Sequence, residues 1–435
     1  MASTKTILIL VIAWMIHCVT LVNAQLDFES APIDYGRKPG TDRVAKLAEA
    51  IVSGKIKLDV DSKFGLLPSL LNELQISPES QTLVFSKTSF QIHKITPNRP
   101  RAIYFNDDTY VGWVRDSDIL ELAASDPEQG ATFYTLDYSK KKAAKIIRDQ
   151  GQCLICHGTI RTQGVPGFLI RSVYASPTGH IVSGTPTFVT DHTSPFEQRW
   201  GGWYVTGRHG DLKHLGNVVC RDESLPGWVD KELGQNNETL PESIMPAKYL
   251  RQSSDLVALM VMEHQTQVHN LITRANFESR TAEYQDRAIN QALERPQDFE
   301  SETTQRRVAG VSEKLLKFML MAEEITLTSP ISGSSGFGAE FSNRGPRNSR
   351  GRSLYELDLQ TRLFKYPCSF LIYSESFDAL PDRVKRFLGQ RLKEVLVDQT
   401  KDSGFERLTR DDRLAIAEIL AETKPDFWSA YVVAK

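Results

Sequence analysis

Residues 152–158 read Gln-Cys-Leu-Ile-Cys-His-Gly, and no other stretch limits so narrowly what this chain can become. Cys153 and Cys156 are separated by two residues, and His157 follows directly. Two thiols at that separation match the two vinyl groups of a porphyrin, and the adjacent imidazole then lies under its centre. This is the order that covalent attachment of a c-type haem requires. With this composition, a chance Cys-x-x-Cys-His is on the order of one in a thousand. The expectation is one covalent haem c, with thioethers at Cys153 and Cys156 and His157 as the proximal iron ligand. A zinc site would want two further clustered ligands, and Cys220 stands alone. A thioredoxin-like pair fits neither the flanking residues nor the adjacent histidine.

The N-terminus supports the same reading. MASTKT carries Lys5, Ile7 to Val22 is apolar, and Val22 and Ala24 put small residues before Gln25. That pattern predicts a signal peptide over residues 1–24. The apolar run is short for a bilayer span, which takes about 20 residues. An uncleaved anchor is the alternative. No later stretch is apolar enough to span a membrane, so the mature chain is expected to be exported, in the periplasm, without a transmembrane segment. The formal net charge of −2 gives no footing for nucleic acid as a partner. Lys140, Lys141, Lys142, Lys145 and Arg148 make a local basic cluster, either a solvated face or a docking patch for an acidic redox partner. Cys220 and Cys368 remain outside the motif. They fit a disulfide or two buried thiols, because spacing cannot decide connectivity.

Removal of the leader leaves roughly 410 residues, enough for more than one domain. Residues 25–80 read as an N-terminal helical segment. Residues 81–240 read as an α/β haem domain. TLVFSKTSFQIHKI, RAIYFNDDTYVGWV and ATFYTLDY are rich in β-branched and aromatic residues. SKKKAAKIIRDQ reads as a helix or turn running into the motif. GFLIRSVYA and GHIVSGT flank a turn at SPTG, and RWGGWYVTG is a further strand candidate. Residues 241–328 read as helices packing on that domain, 329–352 as a Gly/Ser/Arg-rich loop, and 353–435 as a C-terminal helical unit. The fold class is therefore α+β, a mixed sheet-containing haem domain followed by a mainly helical part. It is not an all-helical small cytochrome.

The ligand on the far side of the iron would decide the chemistry. His264 is the leading candidate, because Val257, Val261, His264, Val268 and Leu271 share one helical stripe; its plainer reading is a hydrogen-bonded core histidine. Met245, in an Ile-Met-Pro loop before that helix, is the second, with simple packing as its alternative. His192, His209 and His214 are weaker candidates, and His269 lies off the stripe. Arg161, Arg171 and Arg199 have the bidentate fork that suits haem propionates. Trp200, Trp203 and Tyr204 fit either a haem wall or ordinary core. Glu263, His264 and Arg199 are the acid–base groups an enzyme would use.

CLICHG, TQGVPGFLIRSVY, TDHTSPFEQRWGGWYVTGRHG, DLVALMVMEHQTQVHNLITR and LQTRLFKYPCSFLIYS, with RAIYFNDDTYVGWV and FYTLDY, span residues from about 100 to 375. In these stretches the chain resembles a family of exported bacterial cytochrome c domain-containing proteins with a single haem motif. The resemblance implies haem binding and electron transfer, and residue by residue it carries over only Cys153, Cys156 and His157. The strands around the motif are also similar to sensor domains that carry a c-type haem on a PAS-like sheet. The expected function is thus an exported monohaem c-type cytochrome transferring electrons, with a redox protein or a small-molecule oxidant or reductant as partner. Two readings stay open beside it: a single-haem redox enzyme of peroxidase or oxygenase type, and a haem-based redox or gas sensor. The large size of the chain for a simple carrier keeps the enzyme reading in play.

Overall fold

The computed structural model describes residues 27–139, 144–221, 229–399 and 404–433. The expected signal peptide, and Lys140, Lys141 and Lys142 of the basic cluster, lie outside the described residues.

Two short helices open the described chain, α1 (Arg43–Val52) and α2 (Leu67–Glu73). Asp42 caps α1, its Oδ1 accepting from the Val44 and Ala45 amides at 2.8 and 2.9 Å. Six strands follow: β1 (Thr82–Val84), β2 (Arg101–Phe105), β3 (Thr109–Val114), β4 (Ile119–Asp126), β5 (Gly130–Asp137) and β6 (Lys145–Arg148). Next come the one-turn helix α3 (Leu154–His157), the paired strands β7 (Arg171–Val173) and β8 (Thr187–Val189), and β9 (Trp203–Tyr204). The main sheet has seven antiparallel strands in the order β6-β5-β4-β3-β2-β1-β9. Helix α4 (Leu256–Ala292) is a single element of 37 residues, and α5 (Glu302–Met319) packs against it. The C-terminal part is mainly helical, including α6 (Phe337–Ser342), α7 (Asp382–Leu392) and α8 (Arg410–Thr423).

The α+β reading agrees with this architecture. Several local expectations do not. Most of TLVFSKTSFQIHKI is irregular, and only Thr82–Val84 is strand. The segment before the motif pairs as β6 on the sheet edge instead of coiling, because Ile146 inserts into the core beside Leu136. Strand β4, ILELAASD, was not anticipated. Its alanines and acidic residues weaken its β signal, but β3 and β5 pair with it on both sides. The Gly/Ser/Arg-rich stretch is not a bare loop, since Phe337 and Phe341 of α6 are fully buried.

Strand alternation sorts the side chains onto two faces. On one face Trp113, Leu120, Leu122, Tyr134 and Leu136 pack against α1 and α2. On the other, Phe105, Tyr110 and Phe133 join a core that includes α4 and continues to Val432, with no break at residue 353. Helix α4 covers only part of this second face. Further along the strands Ile119, Glu121, Ala123, Thr135 and Asp137 are half-exposed, while every residue between them is buried. Ile147, which pairs with Thr135, is half-exposed on the same side.

Candidate haem site

The Cys-x-x-Cys-His segment folds at the border between the covered and open parts of that face. The Asp149 carboxylate sets its entry, with Oδ2 accepting from the Gly151 and Cys153 amides at 2.9 and 3.0 Å. One helical turn follows, closed by the His157 amide on the Cys153 carbonyl at 2.9 Å. The turn brings Cys153, Cys156 and His157 round to neighbouring positions. Cys156 is exposed and Cys153 half-buried. Burial, then the Asp149 and Glu121 carboxylates, pushes the Cys153 thiol up to about 12, so it is held as a thiol.

Gly167 grips His157 twice. Its amide donates to the His157 carbonyl at 2.8 Å, and its carbonyl lies 2.9 Å from His157 Nδ1. A carbonyl can only accept, so Nδ1 carries the proton and Nε2 keeps its lone pair in the neutral ring. Burial lowers the imidazole pKa, against the opposing pull of the Gly167 carbonyl, and favours that neutral form. The ring packs on Phe133 with centroids 4.8 Å apart. Behind Gly167 stands α4. Asn270 Oδ1 accepts from the Phe168 amide at 2.7 Å, and its Nδ2 donates to the Phe168 carbonyl at 2.8 Å. A Cβ at Gly167 would come within 2.4 Å of Asn270 Oδ1, so only glycine permits this approach. An imidazole with one nitrogen fixed by a carbonyl and the other bare is how proteins orient a metal-binding histidine.

Arg101 of β2 and Glu121 of β4 face the motif across the open floor, both acting electrostatically on Cys153 and His157. They pair at 3.2 Å. The Arg101 guanidinium lies over Gly112, where a Cβ would sit 2.6 Å from Nε. The buried Nε atoms of Arg101 and Arg171 have no hydrogen-bond partner among the described residues. Arg171 sits close enough to Cys156 and Arg161 to feel both charges. The donor set therefore fits a c-type haem. An exposed thiol and a half-buried one, an oriented imidazole, a half-covered sheet floor and two guanidinium groups with unused donors stand together.

The other candidates lie elsewhere. His264 is fully buried with both ring nitrogens engaged: Nδ1 is 2.9 Å from His192 Nδ1, and Nε2 is 2.8 Å from Ser369 Oγ. Phe318, Phe364 and Phe370 surround it. It is a core histidine, as its plainer reading had it. His269 is buried too, with Nε2 2.8 Å from the Asp107 carbonyl, because this stretch of α4 is enclosed all round. Met245 is half-exposed, and the neighbouring Ile244 packs into the core on the opposite face of the sheet. His209 and His214 pack against each other with tilted rings, centroids 4.7 Å apart, and with ring nitrogens on the Leu212 carbonyl and the Gly216 amide. Arg199 is buried and pairs with Glu263 at 3.2 Å, leaving Arg161 and Arg171 at the motif. Trp200, Trp203 and Tyr204 are core residues. Cys220 and Cys368 are each buried and are not joined by a disulfide. Arg101 and Glu121 escaped sequence reading. Their signal is a charged residue at an inward position of an alternating strand, which shows only once the register is known.

The chain matches no family model, no curated protein and no solved structure. Among the described residues, no three His, Cys, Asp or Glu side chains cluster in a way that would hold a bare metal ion.

Proposed function

We propose that the protein is an exported monohaem c-type cytochrome that transfers electrons in the periplasm. Cys153 and Cys156 would carry the haem through thioethers, and His157 Nε2 would bind its iron. When bound, the haem supplies the one-electron chemistry. The chain holds and orients the imidazole, through Gly167 and Asn270, and covers one side of the site with the sheet. The observation that carries the reading is the fixed tautomer of His157 beside the exposed Cys156, the half-buried Cys153 and a half-covered sheet floor. The resemblance to exported bacterial cytochrome c domain proteins and the apolar N-terminal run support it from the sequence side. No helix among the described residues is long and apolar enough to cross a membrane. Ile155 and Ile160 are strongly exposed beside the motif, which suits a weak encounter with a redox partner.

The test is expression in a host that matures c-type haem, followed by pyridine haemochrome and intact mass. One covalent haem per chain is expected, with none in the Cys153→Ala, Cys156→Ala double variant. A wild-type chain without covalent haem would overturn the reading.

A further inference from the structure

With His264 and Met245 placed elsewhere, the sixth position of the iron needs another owner. This step rests on the haem reading above. Of the eight histidines among the described residues, His192, His209, His214, His264 and His269 are buried in the fold. His180 is within 3.3 Å of Lys87 Nζ. His157 is the proximal candidate. Met260, Met262, Met319 and Met321 belong to the core. His93 is left, an exposed residue in the turn-rich segment between β1 and β2.

That segment is fastened to the open floor. Gln91 Nε2 donates to Glu121 Oε1 at 3.0 Å and to the Ile119 carbonyl at 3.3 Å. Ser89 Oγ reaches Glu121 Oε1 at 3.4 Å. Lys94 Nζ donates to the Asp116 carbonyl at 3.0 Å. Between these anchors Phe90 and Ile92 are 57% and 38% exposed, apolar side chains only partly covered.

The strand register sets the spacing. His157 packs on Phe133, which pairs with Ala123. The anchors at Glu121 and Ile119 lie two and four residues along β4 from that level. At the antiparallel rise this is about 7 and 14 Å. A flat macrocycle standing on the floor between the two levels would have His157 on one side and the 89–93 segment on the other. Glu121 and Thr135 form the floor there, with the Arg101 guanidinium lying over Gly112 and paired to Glu121. Phe90 and Ile92 would gain further apolar cover, and His93 is within two residues of the Gln91 anchor.

We propose that His93 is the second axial ligand of the haem iron, making the site six-coordinate with two histidines. Two imidazoles favour a low potential and a closed iron, which suits electron transfer over peroxide or gas chemistry. The experiment uses the full-length holoprotein, with covalent haem first verified by pyridine haemochrome. The ferric wild type should be low-spin by electron paramagnetic resonance, and the ferrous form should not bind carbon monoxide. His93→Ala should turn the iron high-spin and open it to carbon monoxide, and added imidazole should restore the low-spin signal. His93→Met should stay six-coordinate with a raised reduction potential. Met245→Ala and His264→Gln should leave the wild-type spectrum in place. A high-spin wild type, or a low-spin His93→Ala protein, overturns the assignment while leaving the haem reading intact. A chain that never acquires covalent haem overturns both.

Discussion

His157 and His264 make the most instructive pair of regions in this molecule. Both are neutral imidazoles held by hydrogen bonds. His264 lies inside the core with both nitrogens used, one on His192 and one on Ser369. His157 stands at the rim of a partly covered sheet face, with Nδ1 on the Gly167 carbonyl and Nε2 without a hydrogen-bond partner among the described residues. The sealed region ties many of its polar groups to one another, although His192 Nε2, Glu263 Oε1 and Thr190 Oγ1 have no hydrogen-bond partner among the described residues. Arg199 donates to Glu263 Oε2 and also ties down the Ser194 and His192 carbonyls. The region round the motif likewise leaves two donors unspent, at Arg101 Nε and Arg171 Nε. What separates the two regions is access: His157 stands beside the exposed Cys156, while His264 is enclosed by Phe318, Phe364 and Phe370.

The contrast can be broken at its strongest point. Arg199→Met strands the Glu263 carboxylate in the core, where burial already pushes it up to about 7 against the pull of Arg199. The expected loss is about 3–5 kcal/mol of stability by urea denaturation. Glu263→Gln should cost less, because it removes the charge while keeping the shape.

Acid should come second. Burial holds His264 and His214 down at about 3, and lowers His192 and His269. These groups bind protons in the unfolded chain below about 6.5 but not in the folded one. Their contribution is present above that pH and is lost as pH falls toward about 3. Glu263 and Glu324 work the other way, as two against four: burial raises each to about 7, which favours the fold below about 4.5, and that benefit fades as pH rises through about 7. The histidines outnumber them, so stability should fall on acidification below about 6.5, read as a declining midpoint of thermal unfolding. His264→Gln should flatten that decline. An unchanged slope would mean that this buried pair does not govern acid sensitivity.

Asn270→Ala probes the link between the regions, since α4 runs through one and props up the other. Losing both bonds to Phe168 should cost about 1–3 kcal/mol. It should also loosen Gly167 and broaden the His157 ring signals in a proton NMR spectrum of the haem-free chain. A variant that loses stability without disturbing His157 would separate the two roles of Asn270.

The smallest effect on the fold belongs to the motif. Cys156→Ser, at an exposed position, should shift the stability of the haem-free chain by less than about 0.5 kcal/mol. It should nonetheless leave the haem with a single thioether, visible in the haemochrome spectrum. A large destabilisation would show that Cys156 has a structural role of its own.

Much of this was legible in the residues themselves. Short-range chemistry writes itself into neighbouring positions: two thiols and an imidazole at a set spacing, and β-branched and aromatic runs that pair as β2, β3 and β5. The stripe of Val257, Val261, His264 and Val268 predicted burial correctly. It could not tell whether a buried histidine faces iron or a serine, because that depends on Ser369, more than a hundred residues away. Strand β4 was missed for the same reason, its pairing with β3 and β5 outweighing its own weak propensity. By itself the sequence determined the α+β class and the tight cluster of Cys153, Cys156 and His157, since local propensity and fixed spacing suffice for both. Only the tertiary structure decided that Gly167 and Asn270 orient His157, that Arg101 and Glu121 face it, and that His264 is sealed away. Those contacts join strands and helices remote in sequence, and strand register and helix placement arise from packing the whole core at once.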